Sequence, residues 1–150
     1  MTDRAYKAKC WLNRNFGEYK KVEAERRVLE TIEDRLFRGT ASYYNDGTQG
    51  NADASNKRRE DNLIEYTEQR AKLDKAVRAL ARKTQETRDV IDQLEDPTHQ
   101  AIAIDRYIAR LPWKRIMILE HVSRATLFRH HDKMLNEVGE ILGKRAKSKK

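Results

Sequence analysis

Between Leu63 and Leu94, positions 63, 66, 70, 73, 77, 80, 84, 87, 91 and 94 alternate steps of three and four. Seven of the ten are apolar: Leu63, Tyr66, Leu73, Val77, Leu80, Ile91 and Leu94. A strand repeats every two residues, so this spacing fits only a long helix carrying one apolar seam that another helix must cover. The seam predicts a helix from about Lys57 to Leu94.

A second long helix is expected upstream, from Asp3 to Arg38. There Val22, Leu29 and Leu36 recur every seven residues with Ile32 beside them, and Leu12 and Tyr19 precede. Glu25, Arg26 and Glu33 interrupt this stripe. The intervening stretch 38–56, "RGTASYYNDGTQGNADASN", holds three of the six glycines and many Asn, Asp, Ser and Thr, and reads as a flexible loop. Tyr43 and Tyr44 are its only sizeable apolar groups and are expected to pack on a neighbouring helix. The fold class that follows is all-α: a long antiparallel, coiled-coil-like hairpin over 1–95. Two helices bury only one stripe each. A homo-oligomer, most simply a dimer, is therefore expected, with the seven apolar seam residues as its contacts.

Composition agrees. Charged residues make up 37% and aromatic ones 7%, so apolar groups must form stripes rather than a ball. No run of about 18 apolar residues is present, which gives no expectation of a membrane span. The N-terminus lacks the apolar stretch of a secretory signal. The single Cys10 cannot close an internal disulfide and fits a reducing cytoplasm. Of the net charge of +8, the segment from Pro97 to Lys150 carries +7, from 12 Lys/Arg against 5 Asp/Glu. The closing "KRAKSKK" supplies five of those cations. A polyanion-binding unit attached to a nearly neutral one would have this distribution.

Pro97 ends the second helix, because it lacks an amide donor and pushes Asp96 away from helical angles. Short helices are expected at "PTHQAIAIDRYIAR", at "LPWKRIMILE" and, after a brief turn, at "SRATLFRHHDKMLNEVGEILGK". Ser123 is placed to cap the last of these, Gly143 to stop it, and residues 144–150 to form a basic disordered tail. On a helical wheel Leu127, His131, Met134, Leu135, Val138 and Leu142 share one face, turned toward Ile116 and Leu119. The opposite face shows Ala125, Thr126, Arg129, Asp132, Lys133 and Asn136. Two short helices joined by a turn, the second basic and Ser-capped, form a helix-turn-helix pattern over 96–143. Arg129 can bond guanine twice, Ala125 and Thr126 can meet thymine methyls, and Lys133 can reach phosphates. Ser123 and Arg124 start the helix at the DNA backbone, where its free amides also favour phosphate. Lys114 and Arg115 add positive charge on the preceding helix. Double-stranded DNA is the expected partner.

The stretch "IDRYIARLPWKRIMILEHVSRATLFRHHDKML" resembles the region-4-like domain of sigma factors. More narrowly it is similar to a family of small phage-encoded proteins, the RinA/ArpU-type late-gene transcriptional regulators. The matching residues are Arg106, Tyr107, Ile108, Trp113, Ile116, Ser123, Arg124, Leu127, Phe128, Arg129, His131 and Leu135. Lys114 and Arg115 stand where that family carries acidic residues, and Glu120 and His121 stand where it often carries Leu-Gly. The resemblance implies DNA binding coupled to transcription control, of a phage or prophage late operon in a bacterial host, with host RNA polymerase as a further candidate partner.

Rival readings are weaker. Adjacent histidines on a helix point about 100° apart, which disfavours a metal site at His121, His130, His131 and Asp132. With no phosphate loop, nucleophile motif or isolated carboxylate pair, neither an enzyme nor a cofactor is expected. A coiled-coil adaptor without specific DNA binding remains an alternative. So does a packaging protein like a small terminase subunit, although such proteins generally place the DNA-binding domain first.

Overall fold

The structure is a computed structural model that describes residues 1–45 and 52–149, with side chains described for 1–38 and 53–149. It is all-α: α1 (Asp3–Asn45), α2 (Ala52–Ile91), α3 (Pro97–Ala103), α4 (Trp113–Glu120) and α5 (Arg124–Ser148). A π-helical turn, Ile104–Ile108, continues α3. No strand occurs among the described residues, and no helix there is long and apolar enough to cross a membrane.

The long helices extend further than composition suggested. α1 continues through Asn45 and α2 starts at Ala52, so helix takes up both ends of the expected loop 38–56. Extending a helix that is already nucleated costs only the weak propensity of each added residue. The centre of that loop, 46–51, and the side chains of Tyr43 and Tyr44 lie outside the described residues. α5 likewise passes Gly143 and runs through Ser148, where a stop and a disordered tail were expected. A single glycine costs a helix only about 1 kcal/mol, and Arg145 and Lys147 in the last turn complement the helix dipole.

The chain divides into two compact units, Met1–Gly17 with Ala81–Lys150, and Glu18–Leu80. The division at residue 95 expected from sequence is thus not where packing separates. The first turns of α1 and the last of α2 belong with the C-terminal helices.

In the 18–80 unit, α1 and α2 pair antiparallel. The Gln69 side-chain amide donates to the Glu25 carbonyl at 3.0 Å and to its carboxylate, and Arg35 pairs with Glu65 at 3.1 Å. Val22, Ile32 and Gln69 are buried; Tyr66, Leu73, Ala76 and Leu80 are half-buried. The covered row of α2 therefore runs through 66, 69, 73, 76 and 80. It shares Tyr66, Leu73 and Leu80 with the predicted seam but takes Gln69 and Ala76 in place of 70 and 77. Leu63 and Val77 remain 50% and 42% exposed.

The other unit holds the main core. Ala5, Ala8 and Leu12 of α1 meet Val90, Ile91 and Leu94, then Ala103, Tyr107, Met134, Leu135 and Val138. Ile91 and Leu94, expected in an oligomer seam, are instead 0% and 3% exposed inside this core and cannot meet a second chain. Asn15 and Thr87 pair within it, Asn15 Nδ2 donating to Thr87 Oγ1 at 2.8 Å. A second cluster, Ile102, Ile116 and Leu127 with Leu111, Trp113, Met117 and Val122, joins α3, α4 and α5.

The start of α1 lies directly on α5. Thr2 Oγ1 donates to Asn136 Oδ1 at 2.7 Å, and Arg4 pairs with Glu140 at 3.2 Å. Gly139 permits this approach, because a Cβ there would lie 2.4 Å from Arg4 Cγ and 3.1 Å from the Arg4 carbonyl oxygen. A Cβ at Gly143 would meet nothing within 4 Å. Two alanine substitutions on one helix should thus act in opposite directions. Gly143→Ala is expected to raise stability by about 0.5–1 kcal/mol, and Gly139→Ala to lower it by about 1 kcal/mol or more, both read by chemical denaturation.

Candidate nucleic-acid interface

The geometry of α5 is set by what lies behind it. Its inward face buries Leu127, His131, Met134, Leu135 and Val138. At the centre, Tyr107 Oη and His131 Nε2 lie 2.7 Å apart. Trp113 sets its ring 4.8 Å from that of His131, nearly perpendicular, and 5.2 Å from Phe128. Arg106 stacks its guanidinium over Trp113 at 4.6 Å and donates to the Leu111 carbonyl at 3.1 Å. The π-helical turn delivers both Arg106 and Tyr107. Its register closes with the Ala109 amide donating to the Ile104 carbonyl at 2.9 Å, and Arg110 turns the chain with φ of 59°.

Burial lowers the His131 pKa to about 4 and raises that of Tyr107 to about 12. His131 is therefore neutral at pH 7. Tyr107 is protonated and donates its O–H to Nε2, leaving the imidazole proton on Nδ1.

Between α4 and α5 the chain makes a Schellman turn. The His121 amide donates to the Ile118 carbonyl at 3.4 Å and the Val122 amide to the Met117 carbonyl at 3.2 Å. Met117 and Val122 both pack on the second core cluster. His121 holds the left-handed position, φ 52° and ψ 43°, a conformation glycine adopts without cost. Burial, then the neighbouring Asp105 carboxylate, pushes the Glu120 carboxyl above its ordinary value. Ser123 then caps α5, its Oγ accepting from the Thr126 amide at 3.2 Å and donating to Thr126 Oγ1 at 3.0 Å. α4 and α5 thus meet through a turn of three residues, 121–123.

On the outer face of α5, Ala125, Arg129 and Lys133 are exposed over about two turns, while Arg124 is exposed at the helix start, on the side of Phe128. Arg124 lies over the Phe128 ring at 5.6 Å, which draws it toward the helix start. Thr126 is half-buried and its hydroxyl is engaged in the cap, leaving its methyl as the group it can offer. Asp132 is exposed among the cations, while Asn136 is half-buried and committed to Thr2. Lys114 and Arg115 are exposed in the first turn of α4. Ile116 is buried against α5 as expected, but Leu119 is 47% exposed rather than inward, beside Ile118 at 72%.

Residues 39–139, more than half of the chain, match the family described as "Protein of unknown function (DUF1492)". The chain belongs to that family. Neither the curated proteins nor the solved structures include a match to it.

Within this DUF1492 chain, the residues that carry the resemblance to phage regulators divide by role. Tyr107, Trp113 and Ile116 pack against the inward face of α5 that Leu127, Phe128, His131 and Leu135 form, and Ser123 caps the helix; Arg129 lies on the outer face and Arg124 is exposed at the helix start over Phe128. The histidines separate as well. His131 is a packing group. His130, its neighbour, turns instead to His99 at 3.4 Å and so toward Asp96 and Glu137. That grouping escaped the sequence because its members lie on different helices, 31 residues apart in the case of His99 and His130.

The buried imidazole has a consequence for stability. An unfolded His131 takes up a proton below about pH 6.5, whereas the folded one does so only near pH 4. This group therefore contributes its full stability above pH 6.5 and loses it progressively as pH falls toward 4, by on the order of 3 kcal/mol. His131→Phe is expected to flatten the stability profile between pH 6.5 and 4, measured by urea denaturation at each pH. A variant as acid-sensitive as the parent would contradict the neutral, buried assignment.

Proposed function

We propose that the chain is a sequence-specific, double-stranded DNA-binding transcriptional regulator of the bacterial cytoplasm, of the phage or prophage late-gene type. α5 is its recognition helix. The observation that carries this reading is the Ser123-capped helix after a three-residue turn, offering Ala125, Arg129 and Lys133 outward, with Arg124 exposed at its start, while its other face is locked into the core. An α-helix fits the major groove, and its first turns are the part that reaches base edges. In this reading Arg129 reads a base, Ala125 and the Thr126 methyl meet thymine methyls, and Arg124 and Lys133 hold phosphates, with Lys114 and Arg115 adding charge from α4. The concentration of positive charge after Pro97 supports the same reading. The likeness to RinA/ArpU-type regulators supplies the late-gene context, with host RNA polymerase as a candidate partner.

A homodimer is part of this proposal. Leu63 and Val77, exposed on α2 beside the row that α1 covers, are the remaining seam residues free to meet a second copy. Because neither is buried in one chain, replacing both with Glu leaves the helix pair intact. Light scattering should then read a mass close to one chain where the parent gives two; equal masses would remove this seam.

A coiled-coil adaptor is the second reading, favoured by exposed Ile118 and Leu119 on α4. Anisotropy titrations of duplex from a selected pool, at two salt concentrations, separate the two. The regulator reading expects affinity to fall steeply with salt as counterions are released. Arg129→Ala is expected to cost about 1–3 kcal/mol of discrimination between the selected site and a base-substituted one. Equal affinity for selected and random duplex favours the adaptor.

A further inference from the structure

His99 is 4% exposed, yet both of its ring nitrogens face polar atoms. Nδ1 lies 2.8 Å from Glu137 Oε1. A carboxylate at that distance accepts the Nδ1 proton, which fixes the tautomer and leaves the Nε2 lone pair directed away from Glu137. Along that side lie His130 Nδ1 at 3.4 Å and Asp96 Oδ2 at 3.6 Å. Donor atoms of the three residues all lie within 4.8 Å of one another.

These separations are long for hydrogen bonds, which cluster nearer 2.9 Å. They suit another arrangement. Around an ion with bonds of about 2.0–2.1 Å, two ligands of a tetrahedron stand roughly 3.3 Å apart. The His99–His130 and His99–Asp96 distances are close to that edge. Asp96 is also held in place independently, because its Oδ1 accepts the Thr98 amide at 2.8 Å as the cap of α3, which leaves Oδ2 for another partner. Two imidazole nitrogens, one carboxylate oxygen and a carboxylate behind one imidazole form a donor set typical of zinc.

We propose that Asp96, His99 and His130 form a binding site for a divalent transition-metal ion of the zinc class, with Glu137 orienting His99. Three protein ligands leave a fourth position for water, on the side where the Asp96 side chain is 44% exposed. The bound ion joins the start of α3 to the middle of α5. Its binding energy then stabilises the packing behind the outer face of α5. The proposal stands apart from the DNA-binding reading, and failure of either leaves the other untouched.

The competing account is a His99 ring held between Asp96 and Glu137 by polar contacts alone, with no affinity for metal. The full chain, purified through chelator, distinguishes them when titrated with cobalt(II) alone and then with zinc(II). The metal site predicts visible cobalt absorption of tetrahedral character that saturates at one equivalent and is displaced by zinc. Zinc at a hundredfold excess over its dissociation constant should raise the melting temperature by about 5 °C or more. His130→Ala leaves the His99–Glu137 contact in place and should abolish both effects while melting like the metal-free parent. Asp96→Asn retains the α3 cap and should weaken cobalt binding at least tenfold. Absence of the absorption in the parent, or its persistence in His130→Ala, would overturn the site.

Discussion

The hydrogen bond between Tyr107 and His131, closed over by Trp113, is the constraint on which the C-terminal half depends. A neutral imidazole there can fill core space and still have its acceptor satisfied; a charged one would have to be desolvated. Through it the π-helical turn grips α5, and Trp113 of α4 closes the same cluster from the other side. The orientation of α5 follows from these contacts together with those that the start of α1 makes at Asn136, Gly139 and Glu140. The residues by which the chain resembles phage regulators are largely this packing set. Of the others, Arg129 lies on the outer face of α5 and Arg124 is exposed at its start.

Much of this architecture was legible in the sequence. Helix periodicity found α1 and α2, Pro97 marked the end of the second long helix, and Ser123 marked the start of α5. The wheel placed Leu127, His131, Met134, Leu135 and Val138 inward, where they are buried. The phase of the long pair was less legible. Residues 66, 73 and 80 belong equally to the expected row and to the covered one. The difference lies in Gln69 and Ala76, whose polarity and small size concealed them. Gln69 is buried because its amide finds the Glu25 carbonyl, a partner no apolar pattern can reveal.

Ile91 and Leu94 illustrate a different limit. Their spacing continues the seam, but Ile91 at the end of α2 and Leu94 just beyond it are covered by the C-terminal helices and the first turns of α1. A period in sequence states that a face is covered, not by what. His99 is subject to the same limit. Its partners are Asp96 just before it and His130 and Glu137 on α5, so the cluster exists only once α3 is laid on α5. The turn at Glu120-His121 is regular in its hydrogen bonding, with His121 in the left-handed position that glycine adopts without cost.

The central claim is that the outer face of α5 meets duplex DNA. Backbone amide chemical shifts of the isotope-labelled chain, followed during titration with a selected duplex, test it residue by residue. The account predicts the largest perturbations at Arg124–Lys133, with smaller ones at Lys114 and Arg115 and little change in 18–80. Perturbations centred on Ile118 and Leu119, or absent from the first turns of α5, would contradict it.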